Sequence, residues 1–223
     1  MTKKARKKVT TVREHPMRVP RSKKNPTGIT IRDRHPRHLK GTYLDQEEIE
    51  SIFKKYDRKN ITYPGQSQIL GKDSDKYDDL IAIWTDYFNK KFNSNPPLDP
   101  EMVKALIFSE SDFRENPSDN PKATGIIQIT PDTHKILQNP KGEVKDFIFK
   151  DIRKKDLIDP AINIPMGIRW LYRKKLLAEG KLGRAADHED IILEYKGLLK
   201  SKTAYKEKGL EKYRHAYKQL KKK

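Results

Sequence analysis

From Leu44 onward the apolar positions recur at helical spacing, and outside the first forty residues no convincing strand alternation is present. Leu44 to Tyr56 reads as a helix with Ile49, Ile52 and Phe53 on one face. Ser74 to Phe92 is a stronger one, with Tyr77, Leu80, Ile81, Trp84 and Phe88 on one stripe, and Asn95-Pro96-Pro97 stops it. A third begins at Asp99, an N-cap followed by Pro100 at the first helical position and Glu101 in the first turn. Thr130-Pro131-Asp132 supplies the same chemistry for a fourth. Phe147 to Arg153 is the candidate for a short helix. Pro160 to Ala178 reads as a long helix with Ile164, Ile168, Leu171 and Leu176 among its apolar residues; Pro165 either kinks it or marks its start. Asp187 to Leu199 and the lysine-rich Thr203 to Leu220 complete the pattern. The fold expected is all-α.

One polar residue breaks that pattern in an informative place. In the helix that starts at Asp99 the apolar stripe is Val103, Leu106 and Ile107, and the next position on it is Glu110. A carboxylate there faces the core side. Partial desolvation disfavours its charged form and raises its pKa, which suits a general acid. The plainer alternative is that Glu110, at the helix end, turns out to water. Gly125, after a polar loop, either lets the backbone approach a ligand closely or is an ordinary turn glycine. Gln128 lies between Ile127 and Ile129 and needs a partner if buried; it orients a substrate or the Glu110 carboxyl, or it caps the next helix. Ser111 bonds a substrate or faces water, and Tyr195, beside Ile191 and Ile192, is a core or a cleft residue. His134, His188 and His215 are isolated and read as surface residues.

Four pieces of the chain, in order, resemble the catalytic domain of the soluble lytic transglycosylases, within the goose-type lysozyme superfamily. The first is Glu110-Ser111. The second runs Ala123-Thr124-Gly125-Ile126-Ile127-Gln128-Ile129, with Pro131 and Thr133. The third is Asp159-Pro160 with Asn163-Ile164, Gly167 and Leu171. The fourth, and loosest, is Glu194-Tyr195-Lys196-Gly197. Lys122 and Lys196 stand where the family has glycine and asparagine, and Trp170 where it usually has tyrosine. The resemblance implies a lysozyme-like helical domain that cleaves the β-1,4 bond between N-acetylmuramic acid and N-acetylglucosamine of peptidoglycan. It implies Glu110 as the single acid and base, giving 1,6-anhydro ends. It implies Ser111, Gly125, Ile126, Gln128 and Tyr195 as substrate-binding residues. A muramidase-type hydrolase needs a second carboxylate; Asp112, Glu115, Asp119 and Asp132 are near in sequence but fall in no pattern. A different class of reading is a basic binding or structural protein of a phage particle or secretion system that has lost activity.

Charge changes the picture only at the start of the chain. Of a formal net charge of +18, residues 1–40 carry +12, from 14 Lys or Arg against Glu14 and Asp33. They read as a flexible basic arm that contacts an anionic polymer or a delivery apparatus, or as a solvated tail. Gly28 to Arg32 alternates and is the one candidate strand. The organisation expected is an arm over 1–42, helices over 43–95 packing on a catalytic domain, and that domain over 96–223. With no cysteine and no HExxH spacing, neither cofactor nor catalytic metal is expected. No apolar run reaches the roughly 18 residues of a membrane span, and no apolar run follows the basic start, so no Sec-type signal peptide is expected. Delivery to the wall by a non-Sec route is then implied.

Overall fold

The computed structural model describes residues 9–12, 15–18, 20–21, 23, 25–27, 29–32, 35–38, 43–117, 122–144 and 146–222. The chain divides into two compact units, residues 1–43 and 44–223. In the first, strand β1 (Val9–Val12) pairs antiparallel with β4 (His35–His38), and β2 (His15–Arg18) with β3 (Ile29–Arg32). Val12 faces His35 and His15 faces Arg32, so three steps forward on one side match three steps back on the other; the two ladders share one register. The sequence reading had singled out only the β3 stretch.

The second unit is helical. Leu44, the end of β5 (Tyr43–Leu44), accepts a hydrogen bond from the Lys150 N–H beside β6 (Ile148–Phe149). Asp45 caps α1 (Gln46–Lys55), accepting from Glu48 N–H at 3.0 Å. A short 3₁₀ turn at Ser74–Tyr77 leads into α2 (Asp78–Phe92). Then follow α3 (Pro100–Ser111), α4 (Pro131–Gln138), α5 (Pro160–Leu182), α6 (His188–Tyr195) and α7 (Thr203–Leu220). Asp99, Thr130, Asp159 and Asp187 each cap the helix they precede, and proline sits at the first position of α3, α4 and α5, where its missing N–H costs nothing. Among the described residues no helix is long and apolar enough to cross a membrane.

Helix α5 is the axis of this unit. Every residue from Ile162 to Tyr172 is buried, and α2, α6 and α1 pack around it. Pro165 lies inside the helix; the start is Pro160. Helix α3 packs chiefly on α7. Three expectations are corrected. The stretch 147–153 is not a helix: Phe147 and Asp151 adopt left-handed backbone, φ 59° and 61°, and bracket the two-residue strand β6. Leu176 is 61% exposed, because the C-terminal half of α5 emerges from the core. Helix α3 is buried nearly all round rather than along one stripe, with even Lys104 fully enclosed. The Lys104 ammonium donates to Gly65 O at 3.0 Å and Asp75 Oδ1 at 2.7 Å and is ion-paired with Asp78 at 2.8 Å, so the buried cation is compensated.

Candidate active site

Helix α3 ends abruptly just beyond Glu110. Asp112 caps it in left-handed backbone, φ 53°, and Phe113 follows at 60°. Two consecutive non-glycine residues in this region store strain, and the surroundings hold them there. The Phe113 ring stacks on Tyr77 at 6.2 Å, and Asp112 pairs with Lys212 of α7 at 2.6 Å. The chain therefore leaves α3 sharply, and Glu110 sits on its last turn with 16% of its side chain exposed.

Residues Thr124 to Ile129 form a tight turn closed by two backbone hydrogen bonds, Thr124 N–H to Ile129 O at 2.9 Å and the reverse at 3.0 Å. Gly125 has φ +80°, and a side chain there would run into Asn163 and the Leu157 carbonyl. Three helices each send one side chain to this turn. Ser111 of α3 donates its hydroxyl to Ile126 O at 2.6 Å. Asn163 of α5 accepts from Ile127 N–H at 2.9 Å and donates to Thr124 O at 3.1 Å. Tyr195 of α6 donates its hydroxyl to Ile127 O at 2.7 Å. Burial, with the Glu110 charge adding, holds the Tyr195 phenol well above its ordinary range, so it remains a donor. Gly167 completes the seat, since a side chain on it would overlap that of Ile127.

The end of α6 meets the end of α3. Lys196, the C-cap of α6, donates its ammonium to the Glu110 carboxylate, and both side chains are 16% exposed. Gly197 continues in left-handed backbone, φ 72°. Glu194, one residue before Tyr195, is buried but spent on Lys181, at 2.6 Å and 2.7 Å.

Residues 87–206, just over half of the chain, match the transglycosylase SLT domain family. The chain belongs to that family. No curated protein matches the chain. Membership carries a lysozyme-like helical fold and transglycosylase-type action on peptidoglycan. The matched span of the SLT domain opens inside α2, so α1 and the first turns of α2 precede it while packing on α5 in the same core.

Within the SLT domain the residues singled out from sequence fall in one neighbourhood but do different things. Ser111 is 1% exposed and, besides Ile126 O, bonds Ile107 O at 3.2 Å, so its hydroxyl is turned to backbone carbonyls rather than to water. Ile126 is fully buried and presents its carbonyl to Ser111. Gln128, at φ 55°, donates to Gly125 O at 2.8 Å, while its Oε1 is buried with no hydrogen-bond partner. It does not cap α4; the Thr130 hydroxyl does. His134 is half-buried against Ile152 O at 2.9 Å, and burial depresses its pKa. His188 is half-buried against Tyr217, and His215 is exposed. Among the described residues no group of three or more His, Asp or Glu is arranged to hold a metal ion.

Two of the carboxylates considered as water activators are engaged by other side chains. Asp112 holds Lys212, and Glu115 accepts from Lys76 and from the Tyr77 hydroxyl, both at 2.9 Å. The hydrogen bond from Lys76 leads the causes that hold the Glu115 carboxyl below its ordinary range. Asp132 is 89% exposed on α4, and Asp119 lies outside the described residues. A cavity of about 370 Å³ bounded by Phe92, Arg169, Tyr172 and Lys175 includes none of the site residues. Sequence reasoning gave Asn163 and Gly167 no role, although both were visible as motif matches; their tasks depend on a turn 36 or more residues away.

Proposed function

We propose that this SLT domain cleaves the β-1,4 bond between N-acetylmuramic acid and N-acetylglucosamine with Glu110 as its single acid and base. Glu110 gives its proton to the glycosidic oxygen, and the N-acetylglucosamine side leaves as an alcohol. The carboxylate then takes the proton of the muramic acid's own 6-hydroxyl. That oxygen bonds to the anomeric carbon, closing a 1,6-anhydro ring, and the carboxyl is regenerated with no water consumed. One observation carries the reading: a mostly buried carboxylate at a strained helix end, beside a turn fixed by side chains from three helices. That Asp112 and Glu115 are spent on other side chains, and that Asp132 is 89% exposed on α4, favours this route over hydrolysis, in which a second carboxylate activates water. In this reading Ser111, Asn163 and Tyr195 position the turn, and the turn that carries Gly125, Ile126 and Gln128 backs the cleft in which the sugar is held beside Glu110.

The test is Glu110→Gln, assayed by muropeptide release from purified sacculi. Removal of a positioned acid and base lowers turnover by roughly 10²–10⁴-fold. Mass spectrometry of the wild-type products distinguishes the chemistry, because anhydro ends lack the mass of one water. A folded Glu110→Gln protein with wild-type turnover, or reducing ends in place of anhydro ends, would overturn the acid or the reaction respectively.

A further inference from the structure

The ammonium on Glu110 is a peculiar neighbour for an acid. A carboxylate that accepts a hydrogen bond from Lys196 has one of its lone pairs occupied by that contact. Neither group is free to rehydrate, since both side chains are five-sixths enclosed. Separating such a pair without offering a new partner strands a charge in a poorly solvated place, which is costly. Lys196 cannot find its alternative on α6 itself. Glu194, two residues before it, already accepts from Lys181 and lies 3.7 Å from Lys174. Across the site, Asp112 is taken by Lys212. Among the described residues the neighbouring carboxylates are thus committed, and the tyrosine next to Glu110, Tyr195, bonds a backbone carbonyl.

An incoming anion is the partner the site lacks. We propose that Lys196 is a specificity-determining residue, released from Glu110 by a free carboxylate of the glycan next to the bond to be cleaved. The inference rests on Glu110 being the acid. A glycan with such a carboxylate draws the ammonium onto itself, frees the Glu110 lone pair to take up a proton, and is held by the same contact. A neutral glycan leaves the pair closed. The carboxylate has two possible sources in peptidoglycan, the lactyl group where the stem peptide has been removed, or an acid of the stem peptide. The chemistry recognised is the same.

The experiment erases the charge and leaves the backbone. Sacculi, and glycan strands stripped of their stem peptides by an amidase, are each compared before and after conversion of their carboxylates to methylamides. Wild-type protein, Lys196→Asn, Lys196→Arg and Glu110→Gln are assayed on all four, with folding checked by thermal melting. Amidation is expected to lower wild-type kcat/KM about tenfold or more and to leave Lys196→Asn within about twofold. Lys196→Arg keeps the positive charge and should keep the dependence. Loss on the stripped strands assigns the lactyl carboxylate, and loss confined to intact sacculi assigns the stem peptide. Equal losses in wild type and Lys196→Asn, or no loss in either, overturn the proposal. Activity in Glu110→Gln overturns instead the assignment of the acid, on which this proposal stands.

Discussion

At the scale of the residue, the site is built from hydroxyl and amide groups that serve the backbone. Tyr195 shows this best. Its hydroxyl is committed to Ile127 O, so Tyr195→Phe leaves a carbonyl without its donor in an enclosed place. The expected outcome is a loss of about 1–2 kcal/mol in urea unfolding together with lower turnover on sacculi. A tyrosine whose hydroxyl merely faced solvent would change neither. For Glu110 the enclosure was legible in the sequence, because a charged residue among apolar neighbours is conspicuous. Its partner was not. Lys196 lies 86 residues away, and no local pattern announces a contact made where two helix ends converge. The same holds for the bonds of Ser111 and Gln128 to the carbonyls of Ile126 and Gly125, which depend on how the turn folds.

At the scale of the element, helix starts were legible and irregular segments were not. Asp99-Pro100, Thr130-Pro131 and Asp159-Pro160 put an acceptor and a preset backbone angle in adjacent positions, and each opens a helix where the sequence said. The stretch 147–153 had apolar residues but no cap, and two left-handed residues turn it into a short strand. Helix α5 offers a paired test, since it carries two glycines in different surroundings. Glycine inside a helix costs about 1 kcal/mol relative to alanine. Around Gly180 there is open space, so Gly180→Ala should raise the unfolding free energy by up to about 1 kcal/mol. At Gly167 the same methyl overlaps Ile127, and overpacking of about 1–3 kcal/mol outweighs the helical gain. Gly167→Ala should therefore lower both stability and turnover. Parallel denaturant titrations of the two variants decide it, and stabilisation by both would mean that the turn does not need its seat.

At the scale of the whole molecule, the candidate site residues all belong to the unit from 44 to 223, and most of the net charge belongs to the other. Deletion of residues 1–42 should leave the melting temperature of the helical unit within a few degrees and its turnover of short soluble glycans unchanged. Binding to sacculi should fall at low salt and differ little near 1 M salt, where exposed charges are screened within about 3 Å. Loss of cleavage of soluble glycans by the truncated protein would make the arm part of the catalytic unit. The all-α reading held for that unit because amphipathic periodicity is a property of each helix alone. The basic start gave composition but almost no periodicity, so its paired strands went largely unread.

The turn from Thr124 to Ile129 has one more consequence, for how the domain breathes. Its amides at Thr124, Ile127, Gln128 and Ile129 all donate inside the protein, and the side chains that fix it come from α3, α5 and α6. Exposing those amides requires parting three helices, which is close to opening the whole core. Hydrogen–deuterium exchange should therefore find this short loop among the slowest-exchanging segments, with opening free energies that track global unfolding in denaturant. Fast exchange there, while α5 stays protected, would show a turn that loosens on its own. Slow exchange would mean that the turn beneath Glu110 is as rigid as the core it is tied to.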